Sequence, residues 1–348
     1  MSTLANTPRV RPLRIRPGAR YTCFGDGLCC TDVHGLGPLT RKEVRSLRVI
    51  SDAVVATPSM TGFDEPMLRT RDDGGCLFLG EGRCELHAAL GPEAKPDGCR
   101  RFPLGLTATP RGGRITTRHR CPCRTLGERP PVSPSAAEPA LMSSAGRLEA
   151  DQRIGARVAI QGRSRVAFDT YERLESSLFD RLALGEAPES VLDAEPFPKL
   201  RGRSWTRVAE EMLGECDEDT RFDAALEWFA EAILARQRRG YRRRMEDRPW
   251  ADAFDRAEAR SPEPRAPSDM LGDWIADTLW SMQWVEEVGS LAQTRAELAT
   301  RLAIAKDISA RLVRRGARAD RATAEALMVV DSVGDSEWWH EVADRLPD

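Results

Sequence analysis

The chain has 348 residues, 41% of them hydrophobic and 30% charged, with a formal net charge of -2; this balance calls for ordinary globular cores, two domains as the simplest division, and no disordered class. The N-terminal arginines precede no apolar run and no stretch approaches a bilayer-crossing length, so neither a signal peptide nor a membrane span is expected. A cytoplasmic, reducing setting follows as the expectation, and there clustered cysteines are metal ligands or catalytic groups before they are disulfides.

Eight of the nine cysteines fall between Cys23 and Cys123, and only Cys216 lies outside. That same part of the chain is basic: residues 1 to 130 hold 21 Lys and Arg against 13 Asp and Glu, and the remainder 31 against 41. The arginines are scattered, without an aromatic-interleaved stripe or a helix-turn-helix, so nucleic acid is not the expected partner. Arginines beside metal-bound thiolates would instead offset their charge and hydrogen-bond the sulfurs.

In chain order, residues 1 to 20 alternate Arg with Pro and Leu or Ile and suit an extended arm. Gly25 and Gly27 bracket Asp26 before Cys29-Cys30, permitting a tight backbone near Cys23. Thr40 followed by Glu43 is a capping-box pattern that starts a short helix. The stretch from Ser51 to Asp73 reads as irregular. Cys76-Leu-Phe-Leu, Gly-Glu-Gly and Arg-Cys84-Glu-Leu-His87 predict a hairpin that draws Cys76 and Cys84 together. Pro96 and Pro103 flank Cys99, which predicts a stiff, non-regular segment there. A turn at Arg111-Gly-Gly-Arg114 makes a second hairpin, whose return delivers Cys121 and Cys123. The Pro, Ser and Ala-rich residues 129–147 read as a linker between a metal-binding domain over 1–128 and a helical domain over 148–348.

The second domain is expected to be all helical, with helices at about 147–184 (kinked near Gly162), 204–213, 220–245, 268–288, 294–315, 319–331 and 336–346. Thr294 and Glu297 form a capping box for the fifth, and Gly316 stops it. All eight tryptophans lie in this half, and Trp228, Trp274, Trp280, Trp284, Trp338 and Trp339 are assigned to its core. The predicted fold is therefore mainly α: a small irregular cysteine-rich domain with short hairpins, followed by an all-α bundle.

No C-x2-C pair or C-x3-C-x2-C run occurs, which sets aside thioredoxin-type redox motifs, paired-knuckle zinc ribbons and radical-SAM clusters. Eight sulfurs suit two four-coordinate sites, or one cluster with spectators. Adjacent cysteines and irregular spacings favour an iron–sulfur cluster, 4Fe-4S in type, over Zn2+, although four sulfurs serve either. His87 and His119 are considered as ligands or as donors to a thiolate, His34 and His340 as surface or structural groups, and Cys216 as a small buried hydrophobe. No phosphate loop, dinucleotide fingerprint or catalytic triad stands out.

The order Asp26-Gly-Leu-Cys29-Cys30, Cys76-Leu-Phe-Leu, Cys84-Glu-Leu-His87 and Cys99-Arg-Arg-Phe-Pro103 resembles the YkgJ-type cysteine-cluster family, described as zinc- or iron-chelating, over roughly residues 20 to 125. The resemblance implies Cys23, Cys29, Cys30, Cys76, Cys84, Cys99, Cys121 and Cys123 as metal ligands. Asp26 departs from it, standing where many members carry another cysteine. Seven residues, AALGPEA, separate His87 from Lys95-Pro96, which resembles the family's usual Arg-Pro. Flagellin lysine-N-methylases are distant relatives of this cluster, with an iron–sulfur centre implied. The functional expectation is thus a metal-binding protein whose helical domain serves as scaffold or protein-partner surface, with a cluster-dependent protein-modifying enzyme such as a lysine N-methylase as the alternative.

Overall fold

A computed structural model describes residues 7–23, 27–30, 37–56, 65–71, 75–216, 220–243, 248–261 and 263–347. The readings that fall on Gly25, Asp26 and His34 lie outside these residues. The chain runs through β1 (Leu13–Ile15), α1 (Arg41–Ile50), β2 (Val55–Ala56), β3 (Met67–Leu68), β4 (Leu79–Gly80), β5 (Arg83–Cys84), α2 (Glu85–Leu90), α3 (Asp97–Arg101), β6 (Leu104–Thr109), β7 (Gly112–Thr117), α4 (Pro122–Thr125) and α5 (Pro134–Leu141). It continues with β8 (Gln152–Arg153), β9 (Arg157–Gln161), β10 (Ser164–Ala167), α6 (Phe168–Ala183), α7 (Pro188–Leu192), α8 (Trp205–Gly214), α9 (Arg221–Gln237), α10 (Ala251–Ala259), α11 (Pro267–Ser281), α12 (Trp284–Glu287), α13 (Leu291–Arg314), α14 (Ala319–Gly334) and α15 (Glu337–Ala343). The protein is mainly α, and no helix among the described residues is long and apolar enough to cross a membrane.

The predicted second hairpin forms as β6–β7, with its turn at Pro110–Arg111 rather than over Arg111 to Arg114, and both strands are buried along their whole length. It sits in a sheet ordered β1-β7-β6-β8, with β1 and β8 pairing in parallel at the two edges. Gly112 and Gly113 let the N-terminal arm approach: a Cβ at either would meet the Pro12 or Val10 carbonyl oxygen at 2.3 or 2.4 Å, closer than any side chain tolerates. Strand alternation then separates two faces. Leu104, Leu106 and Ile115 pack on Ala137 and Leu141 of α5. On the other face, Thr107 donates to Ser281 O and Arg114 to Glu175 of α6, while Thr117, at the end of β7 and opposite Leu104, donates to Asp277 of α11. Arg114 is fully buried, 4.2 Å from the Trp280 ring centroid, and donates to Glu175 Oε1 at 2.7 Å.

Helices α8 to α15 share the largest core, into which Trp228, Trp274, Trp284 and Trp339 are fully buried. Ser204, Thr220 and Ser336 cap α8, α9 and α15 as expected of short polar side chains just before apolar runs.

Five expectations are corrected. The apolar spacing of Ile154, Val158 and Val166 fits a strand as well as a helix, and residues 152–167 are strands: Val158 faces Val166 across the β9–β10 hairpin, whose turn holds Gly162 at φ +48°, and helix begins only at Phe168. The second half is therefore not purely helical. Ser290, not Thr294, caps α13; Thr294 lies one turn inside with its hydroxyl on the Ser290 carbonyl, and Glu297 is spent on Arg301 and Trp339. The helix expected over 268–288 breaks at Met282, which adopts φ +58°. Cys99 stands in a short helix, α3, rather than in a non-regular segment. The stretch read as linker contains α5, and β8 beyond it joins the sheet of β6 and β7.

Candidate metal centre

Each cysteine segment is set by local chemistry. Cys29 and Cys30 lie in one 3₁₀ turn, closed by the Cys30 N–H donating to Gly27 O at 2.8 Å, with Gly27 at φ +68°. Cys30 O accepts from Cys76 N at 2.9 Å, so the first and second motifs touch through backbone. The β4–β5 hairpin pairs Leu79 with Cys84, and the Cys76 carbonyl accepts from Leu79 N at 3.0 Å. Cys99 is positioned from α1. The predicted capping box forms there, with Glu43 Oε2 accepting from Thr40 N at 2.7 Å, while the other oxygen, Oε1, accepts from Asp97 N at 2.6 Å at the start of the Cys99 helix. Cys121 precedes α4 and Cys123 lies within it, both buried.

Two neighbourhoods result. Cys30 and Cys76 belong to a small apolar core with Leu39, Leu47, Val54, Leu68 and Leu86, against which Cys29, Cys84 and Cys99 pack. Burial, then the neighbouring Cys76, pushes the Cys99 thiol up to about 12, with Cys29 and Cys84 adding and Lys95 opposing. The Cys76 thiol is likewise raised, first by burial. The second neighbourhood gathers round Tyr21, whose hydroxyl is raised by burial and then by Cys121, Cys23 and Cys123. A cavity of about 520 Å³ adjoins both, lined by Tyr21, Cys23, Cys29, Cys30, Cys84 and His87 among others.

The donor set is that of a thiophilic metal: several soft sulfurs on one cavity, with Lys95 on its wall to balance thiolate charge, while Arg100 beside it is paired with Glu93 and Asp97. Among the described residues no three of His, Cys, Asp and Glu are grouped so as to hold a metal ion as they stand. The donors fit in kind and neighbourhood, without a closed cage. Raised thiols are protonated at neutral pH, so a metal would have to displace protons to bind them.

The histidines separate. His87 is exposed on α2 and lines the cysteine cavity. His119, two residues from Cys121, does not serve a thiolate: its Nε2 lies 3.1 Å from Asp277 Oδ2. Cys216 is half-buried at the bundle edge, its thiol donating to Met212 O at 3.1 Å.

Sequence reasoning missed the ionic knot behind Cys121 and Cys123. Arg124, fully buried, donates to Asp273 Oδ2 at 2.7 Å, to Asp277 Oδ2 at 2.5 Å and to Thr117 Oγ1 at 2.8 Å. Arg16 of the N-terminal arm bonds the same two aspartates. Burial raises both carboxyls, but Arg124 and Arg16 more than offset it and hold them well below the ordinary Asp range. The knot fastens the arm, the end of β7 and the Cys121–Cys123 turn onto α11. Its available signal was Asp273 and Asp277, one turn apart among the apolar residues Met270, Leu271, Trp274, Ile275 and Leu279. The chain matches no protein-family model, no curated protein and no solved structure.

Proposed function

We propose that the protein binds a thiophilic metal centre through Cys23, Cys29, Cys30, Cys76, Cys84, Cys99, Cys121 and Cys123, and that the helical half serves as a scaffold that presents this centre to a protein partner in a reducing, cytoplasmic setting. The observation that carries the reading is the cavity of about 520 Å³ on which Cys23, Cys29, Cys30 and Cys84 open. The resemblance to the YkgJ-type cluster supports the same set. Its size favours a group larger than one ion, so an iron–sulfur cluster, 4Fe-4S in type, is preferred to Zn2+. Such a centre would supply soft, redox-capable iron. The chain's residues would hold it, Lys95 would balance part of its charge, and the ionic knot would fix the Cys121–Cys123 turn.

Anaerobic purification followed by metal, acid-labile sulfide and visible-absorption analysis tests the reading. A brown protein carrying iron and sulfide is expected, lost on Ser substitution of Cys29, Cys84 or Cys99. A colourless protein with stoichiometric zinc overturns the choice of cluster, and a protein that retains no metal overturns the function.

A further inference from the structure

A second cavity, of about 60 Å³, lies against the ionic knot, between the end of β7 and helices α11 to α15. That is room for roughly four water-sized groups. Its floor is His119 and Asp277, whose side chains are only 2% and 3% exposed, and its mouth is Glu287 and His340, at 32% and 29%. His119 spends Nε2 on Asp277, while its buried Nδ1 has no hydrogen-bond partner. Asp277 is an acceptor that already takes hydrogens from Arg124 and Thr117, so the proton between it and His119 belongs to Nε2. Nδ1 is then a lone pair awaiting a donor.

The rest of the wall asks for the same thing. Glu287 has His340 Nε2 as its nearest basic partner at 3.9 Å, beyond hydrogen-bond range. Burial, then Asp335, raises the Glu287 carboxyl, and a cation beside it would hold it ionised. The lining arginines are occupied: Arg118 and Arg120 by Asp335, and Arg301 by Glu297. The indole N–H groups of Trp284 and Trp339 are spent on Leu279 O and Glu297 Oε1, which leaves these rings as apolar walls. An anion would meet carboxylates and a lone pair. A metal ion lacks its ligands, since among the described residues no three such groups can hold one.

We propose that this cavity is a binding site for a small protonated primary amine, whose N–H groups donate to His119 Nδ1 and to the Glu287 carboxylate while its short alkyl part rests against Trp284 and Trp339. The site is separate from the cysteine cavity, and its occupancy does not depend on the metal reading.

Calorimetric titration of the full chain with methylammonium and ethylammonium, with acetate and tetramethylammonium as controls, tests it. Saturable binding of the primary amines is expected, with none for acetate and much weaker binding for tetramethylammonium, which has no N–H to donate. Glu287→Gln, at the half-exposed rim, should keep the melting temperature and weaken amine binding about tenfold or more, as a charge-assisted bond becomes neutral. No saturable amine binding, equal affinity in Glu287→Gln, or preference for acetate or tetramethylammonium would each overturn the proposal.

Discussion

The cysteine-bearing region and the helices from α8 onward are held together by different means. In the first, elements of two to ten residues enclose a core in which Cys30 and Cys76 stand beside Leu39, Leu47 and Leu86. In the second, helices of up to 24 residues bury Trp228, Trp274, Trp284 and Trp339 together with a continuous aliphatic core. The lesson is about surface and volume. Short segments cannot remove enough apolar area from water to offset the entropy of ordering them, so thiols held by a metal would supply what packing does not. Long amphipathic helices need no such help.

Metal removal should break the comparison most sharply. Stripping a bound centre with a chelator should cost the cysteine region on the order of 10 kcal/mol, the scale of structural metal sites. Hydrogen exchange would show lost protection across residues 75–101 with α13 and α14 unchanged; equal protection before and after would mean that the region folds by packing alone.

The ionic knot joins the two regions, and Asp277→Ala should cost about 3–5 kcal/mol by leaving the buried Arg16 and Arg124 to share the single carboxylate of Asp273. Urea denaturation measures it. The sign of its pH dependence follows from the depressed carboxyls: their contribution is fully present above the ordinary Asp value of 3.8 and is lost as pH falls below it toward the folded-state values. Asp277→Ala should therefore flatten the acid limb of the stability profile, and an unchanged limb would assign acid unfolding elsewhere.

The smallest effect tests the positioning of Cys99. Thr40→Ala removes the α1 cap and should cost about 1 kcal/mol. Because Glu43 also holds Asp97 N, the change should raise exchange at residues 97–101 while leaving the bundle untouched. Exchange confined to residues 41–50 would show that the cap does not reach α3.

Elements defined by near neighbours in the chain were legible in the sequence. The Thr40–Glu43 box, the two short hairpins, the helix starts near Ser204 and Thr220 and the stop at Gly316 depend on residues a few positions apart, whose conformational preferences act whatever surrounds them. Competition between equally good local signals was not legible. Ser290 and Thr294 both offer a cap, and Val158 and Val166 suit a strand or a helix, so packing against the rest of the molecule chose between them. Nor could spacing say that Arg16 and Arg124 would meet Asp273 and Asp277, or that His119 would turn from the cysteines to the bundle. Partners more than a hundred residues apart are chosen by the tertiary fold, because the worth of a charge pair depends on burial and distance, which exist only once the chain has closed on itself.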